Sequence, residues 1–262
     1  MPTSRIELFG VESGYFLLPM QMAAERGVGE ATLFDMAVCA GYGHAFHRLV
    51  DWHVDELAMT SDDALLLAPL AEQYEERLAR LAGPALRTLN GYRQDYYRRF
   101  VEARERERER ARSGHVFGSD DILALGDKSG PLMVLFDLAD VLSPDGPTFH
   151  RQEFYCSLQL LAVGLQLEDD VHDYAEDFAS ANITYPIARA AELAGVAPTA
   201  QDLTADDIGG LIRLLEVDAH CHRLAATAFR ESAELAVGAG WKPFADIASS
   251  CAARAAELSR SD

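Results

Sequence analysis

Helical periodicity constrains this chain more than any other feature. Apolar residues recur at spacings of three and four within segments rich in Ala, Leu, Glu and Arg, and the alternation of a half-buried strand is almost absent. An all-α fold follows. The pattern predicts helices over Tyr15 to Arg26, Glu30 to Ala58, Asp62 to Ala82, Pro84 to Arg112, Ser119 to Leu142, Thr148 to Ala179, Ile183 to Ala194, Ala205 to Val237 and Pro243 to Arg260. Ser61 and Ser119, each followed by two aspartates, suit N-caps with acids at the positive end of the helix dipole, and Pro84 suits a first helical turn. Ser143-Pro144-Asp145-Gly146-Pro147 reads as a turn, and Gly195 to Thr204 as a longer polar connection. Neither has the composition of a flexible linker. A chain of 262 residues with 49% hydrophobic content can bury a full core, and one large domain or two small ones would fit. With no linker visible, residues 1–262 are expected to form a single helical domain.

Charge narrows the partners. A formal net charge of -19, from 42 acidic and 23 basic residues, repels both a nucleic-acid backbone and an anionic membrane surface. Cys39, Cys156, Cys221 and Cys251 are widely spaced without a CxxC pair, which points to free thiols rather than zinc or a disulfide framework. No signal-like N-terminus or apolar run of membrane-spanning length is visible, so a cytoplasmic protein without a membrane span is expected. The Glu and Arg alternation from Glu102 to Arg112 reads as a solvated helix face.

Two acidic segments stand out within this helical pattern. Asp51 and Asp55 are four residues apart, as are Asp169 and Asp173 and then Asp173 and Asp177, so each set lines one face of a predicted helix. Carboxylates stacked on helices that must also bury apolar residues repel one another, and a divalent cation is the simplest compensation. Oxygen donors select magnesium or manganese over soft metals, and more than one ion per site is expected. Glu56 points about 100° away from Asp55 and is a further candidate ligand. Asp177 reads as a solvated acid near the helix end. His47, His53 and His172 could be ligands, but each is more often a hydrogen-bonded or surface histidine.

The segment Gly164-Leu165-Gln166-Leu167-Glu168-Asp169-Asp170-Val171-His172-Asp173-Tyr174 resembles the second aspartate-rich motif of trans-isoprenyl diphosphate synthases and class I terpene synthases. Upstream, Asp127-Lys128-Ser129-Gly130-Pro131-Leu132 is similar to a Lys-Thr element of the same superfamily, with Ser in place of Thr. Arg48-Leu49-Val50-Asp51-Trp52-His53-Val54-Asp55-Glu56 is similar to the first motif of squalene and phytoene synthase relatives and some bacterial terpene synthases, with Trp52 where the second Asp of DDxxD would stand. The three elements span about Phe34 to Ala190.

The resemblance implies an isoprenoid-synthase bundle with a central apolar cavity. It implies metal binding by Asp51, Asp55, Glu56, Asp169, Asp170 and Asp173, and diphosphate binding by Lys128. Gln166 could contact substrate or find a backbone partner, and Arg48 could reach diphosphate or pair with an acid. Tyr42, Phe46 and Trp52 read as core aromatics from the pattern alone, whereas in the resembling family bulky residues before the first Asp floor the prenyl pocket. The cationic elements with which chain-elongating synthases hold isopentenyl diphosphate are missing: no Lys-Arg-Leu-Arg-Pro lies near the N-terminus and no Arg-Arg-Gly follows Glu56. The expected activity is therefore a carbon-oxygen lyase, a terpene synthase that ionises one allylic prenyl diphosphate and cyclises or rearranges the cation. A prenyltransferase, of the elongating or the squalene and phytoene type, is the alternative. A di-iron carboxylate bundle is more remote, because Asp169-Asp170-Val171-His172 and His53-Val54-Asp55-Glu56 do not supply its Glu-x-x-His pairs. The resemblance also suggests a homodimer.

Overall fold

The computed structural model describes residues 10–56, 61–113, 117–145, 150–200 and 202–260, without the side chains of 10–16, 48, 51–56, 61–64, 107, 108, 110–113 and 119. Every regular element among them is helical. In chain order they are α1 (Gly10–Glu25), α2 (Glu30–Glu56), α3 (Ser61–Ala82), α4 (Leu86–Ser113), α5 (Ser119–Asp127), α6 (Met133–Val141), α7 (Arg151–His172), α8 (Tyr174–Ala179), α9 (Tyr185–Ala194), α10 (Ala205–Leu214), α11 (Val217–Gly238) and α12 (Lys242–Leu258). Short 3-10 segments at Gly83–Ala85 and Gly130–Leu132 lead into α4 and α6. Among the described residues no helix is long and apolar enough to cross a membrane.

Three predicted helices are interrupted. Ser119 to Leu142 becomes α5 and α6, parted at Lys128-Ser129-Gly130-Pro131, where Pro131 lacks an N–H and disfavours helical backbone in the residue before it. Ala205 to Val237 becomes α10 and α11, which meet at Glu216 in the left-handed region at φ 53°. No Gly or Pro marks that corner. Thr148 to Ala179 is broken at Asp173. Capping differs in detail too. Gly118 rather than Ser119 caps α5, its N–H donating to Asp121 Oδ2 at 2.9 Å, and Ser61 is already helical. Thr204 caps α10 by accepting from the Asp207 N–H at 3.2 Å, while Asp207 Oδ2 accepts the Thr204 N–H at 3.0 Å. The predicted helix ends at Ala58 and Thr148 and the Gly146-Pro147 part of the turn lie outside the described residues.

The chain divides into two compact units: residues 1–95 with 131–149, and residues 96–130 with 150–262. In the first, α1 packs on α2 and α6, and α2 packs on α3. Every residue of α6 from Met133 to Asp140 is buried, as a helix apolar nearly all round requires. The Asp140 carboxylate is ion-paired with Arg26, so it does not face this environment as a lone charge.

In the second unit α7 packs against α5 and α11, and α11 against α12. Ser157 and Ser232 tie α7 to α11 reciprocally: each fully buried hydroxyl donates to the other's backbone carbonyl at 2.7 Å. Both hydroxyls are thereby satisfied inside an apolar seam, which an unpaired polar group could not be without cost. Phe154, Trp241 and Phe244 fill one end of the seam, with ring centroids 5.1 to 5.4 Å apart. All four cysteines are free, Cys39 and Cys221 being buried. The Glu and Arg run of α4 is not wholly solvated, because Ala103 and Arg104 are buried.

Candidate metal and diphosphate site

The apolar face of α7 runs through Leu158, Leu161, Ala162, Val163 and Leu167, all buried, and directly into Glu168-Asp169-Asp170. Consecutive residues turn about 100° around a helix, so these acids meet different surroundings. Asp170 turns inward and is 3% exposed. It accepts a hydrogen bond from Gln166 Nε2 at 2.7 Å, which gives Gln166 a side-chain partner. Burial pushes the thiol of Cys221 on α11 up, and the Asp170 charge adds to that. Glu168 is held by Arg254 of α12. Asp169 lies on the exposed side.

Asp173 ends α7 with φ -99° and ψ 11°. Its N–H still bonds the Asp169 carbonyl at 2.8 Å, and its own carbonyl receives the N–H groups of Glu176 and Asp177, each at 3.0 Å. Helical hydrogen bonding therefore continues across the break. The Tyr174 ring rests on Gly209 of α10, where a Cβ would come within 2.3 Å of the tyrosine oxygen, and α8 follows α10 from that contact. Only glycine admits so close an approach.

Asp177, expected to be solvated, is half-buried. Asn182 Nδ2 donates to its Oδ1 at 2.9 Å, and the Asn182 N–H returns to its carbonyl at 2.8 Å. The carboxyl pKa is pushed up to about 6: burial is the main cause and the Asp173 and Asp169 charges add, while the Asn182 hydrogen bond and the Lys128 charge oppose. Asp169, Asp173, Asp177 and Lys128 thus share one electrostatic neighbourhood. The four-residue spacing after Asp173 was the signal for Asp177.

Lys128 follows the last residue of α5, whose seat on α7 is tightly defined. A Cβ on Gly126 would stand 2.2 Å from the Gln159 carbonyl oxygen, so α5 and α7 meet backbone to backbone. Asp127 Oδ1 accepts from Tyr155 Oη and Gln159 Nε2, both at 2.7 Å. Burial, with the Asp127 carboxylate second, raises the pKa of the Tyr155 hydroxyl and keeps it protonated as a donor. The Tyr155 ring stacks on Tyr96 at 5.5 Å, with Arg99 over the first ring and Arg151 over the second at 5.0 Å each. Nothing in the sequence pattern singled out Asp127 for this role.

The α2 backbone carries Arg48, Asp51, Trp52, Asp55 and Glu56, whose side chains, like that of His53, lie outside the described residues. Upstream, Tyr42 is half-buried beneath the Arg77 guanidinium, 5.1 Å from its ring centroid. Phe46 meets His47 edge-on at 5.0 Å. His47 is pushed down to about 4, first by burial and then by His44 and Arg93, so it is a neutral imidazole packed near Tyr74. His172 is exposed, 3.9 Å from Asp173.

Among the described residues no three acid, His or Cys side chains are grouped closely enough to hold a metal by themselves. The second motif nevertheless fits a hard divalent ion in donor type: Asp169, Asp173 and Asp177 offer only oxygen, and the like charges that raise Asp177 are what such an ion offsets. The second unit also carries two hollows, one lined by α9 and α11 and one by α11 and α12, and no acid of either motif lines them. Comparison with protein-family models finds no match, and comparison with curated proteins finds no significant relative.

Proposed function

We propose that the protein is a magnesium-dependent class I terpene synthase acting on a single allylic prenyl diphosphate. The observation that supports this most is that the charges of Asp169, Asp173 and Lys128 all act on Asp177, just beyond the buried apolar face of α7. Magnesium held by Asp169 and Asp173, with Asp170 behind, would neutralise charge developing on the departing diphosphate. Asp51, Asp55 and Glu56 are assigned to metal by the resemblance of the first motif. Lys128 adds a fixed positive charge to the same leaving group, on a helix end locked by the Asp127 network. Gln166 orients Asp170.

The carbon-oxygen bond breaks heterolytically and diphosphate leaves with the electron pair. A double bond of the same chain captures the allylic cation, and a proton is lost or water adds. Tyr42, Phe46 and Trp52 on α2, with Arg48, are assigned to the substrate pocket, and Phe46 to its depth.

Purified protein with magnesium and ten-, fifteen- and twenty-carbon diphosphates is expected to release inorganic diphosphate and a hydrocarbon or alcohol from one substrate alone. A strict requirement for a second prenyl substrate assigns a prenyltransferase instead. No product under either condition rejects both. Phe46→Ala is expected to shift the preferred chain length.

A further inference from the structure

The hollow between α9 and α11 is a different kind of site. Arg189 of α9 and His220 and Arg223 of α11 converge on it, in a chain whose net charge is -19. The Arg223 guanidinium has no ion pair or hydrogen bond among the described residues, and Arg189 is bonded only to Glu192, at 2.6 Å. His220 Nε2 is 3.0 Å from Tyr185 Oη. A tyrosine proton given to Nε2 leaves Nδ1 as the N–H donor. The imidazole pKa is lowered first by burial and then by Arg189 and Arg223, so both guanidinium charges reach the ring.

Leu193, Leu215 and Val217 supply an apolar wall. Glu216, the one acid in the lining, sits at the strained corner with φ 53° that turns α10 into α11. A non-glycine residue held in that region is a recurrent mark of functional positions. The cavity is about 170 Å³. Pockets that take drug-sized ligands measure roughly 300–1,000 Å³, so this hollow suits a single tetrahedral anion.

We infer that Arg189, His220 and Arg223 form a binding site for one phosphate group, free or as the ester of a short apolar alcohol. The guanidiniums supply charge-assisted donors, Arg189 being shared with Glu192, and His220 supplies a neutral N–H. Nothing in this site depends on a divalent metal, so it stands apart from the terpene synthase reading.

The test is calorimetric titration of the full chain in EDTA, with inorganic phosphate in one arm and butyl phosphate in the other. Without divalent metal the acidic site has no bridge to phosphate, so loss of one proposal leaves the other standing. Saturable one-to-one binding is expected, weakened about tenfold or more by Arg223→Ala and partly retained in Arg223→Lys, with thermal melts unchanged because Arg223 is exposed. Tighter binding of butyl phosphate assigns an ester ligand, and equal binding assigns free phosphate. The absence of saturable heat in both arms, or an Arg223→Ala variant that binds like the wild type, overturns the site.

Discussion

Two carboxylate environments in the second unit are built on opposite terms. Asp127 collects two donors at 2.7 Å and sits beside a stack of two tyrosines and two arginines. Asp177, by contrast, has one amide donor at 2.9 Å and the charges of Asp173 and Asp169 against it. An acid that serves the fold is given its partners. Asp177 is left short of positive charge, and under the proposed function a bound cation would offset that cost. Lys128 joins the two, since it follows Asp127 in sequence and acts on Asp177 in space.

The contrast can be broken most forcefully at Asp173. Asp173→Asn is expected to lower turnover of prenyl diphosphate roughly a hundredfold or more while leaving stability to urea unchanged or slightly higher, because it removes one of the repelling charges. A loss of activity that merely follows unfolding would place Asp173 with Asp127 as a structural acid.

Asp127→Ala should do the reverse. It strands the Tyr155 hydroxyl as a donor and leaves the Gln159 amide with only the Leu123 carbonyl at 3.4 Å, and a cost of about 1–2 kcal/mol in urea unfolding is expected. Tyr155→Phe, which removes one donor of the pair, should cost about 1 kcal/mol.

Asp177 sharpens the comparison through pH. Its pKa of about 6 in the folded chain lies above the ordinary 3.8, so the folded state binds the proton more tightly than the unfolded one. That contribution is full below pH 3.8 and is lost as pH rises through about 6. For a half-exposed group screened by water, the loss is of the order of 1 kcal/mol. Urea unfolding at pH 4.5 and 7.5 is expected to show this decline in the wild type and not in Asp177→Asn, and magnesium should offset it at the higher pH. The smallest effect is expected at Ala181, which closes α8 at φ 58°. Ala181→Gly should gain up to about 1 kcal/mol in the same assay, and a loss would show that the turn is not strained.

Helix content was readable because apolar spacing reports burial directly, and the Asp169, Asp170 and Asp173 cluster stands out by composition. What stayed hidden depends on contacts between distant segments. Beside the break at Asp173, Tyr174 meets Gly209, thirty-five residues later. The turn at Glu216 has no Gly or Pro to announce it. Asp170 and Asp169 are neighbours in sequence, yet one is buried against α11 and the other exposed, and only packing separates them. Asp127 looked like part of the lysine element and proved to be its anchor.

Manganese binding, followed by electron paramagnetic resonance at pH 7.5 with inorganic diphosphate present, tests the central claim most directly. The expected result is saturable loss of the free-ion signal at more than one manganese per chain, with Asp173→Asn weakening it roughly tenfold or more at unchanged thermal stability. Manganese that stays free beside the wild type, or that binds Asp173→Asn equally tightly, contradicts it.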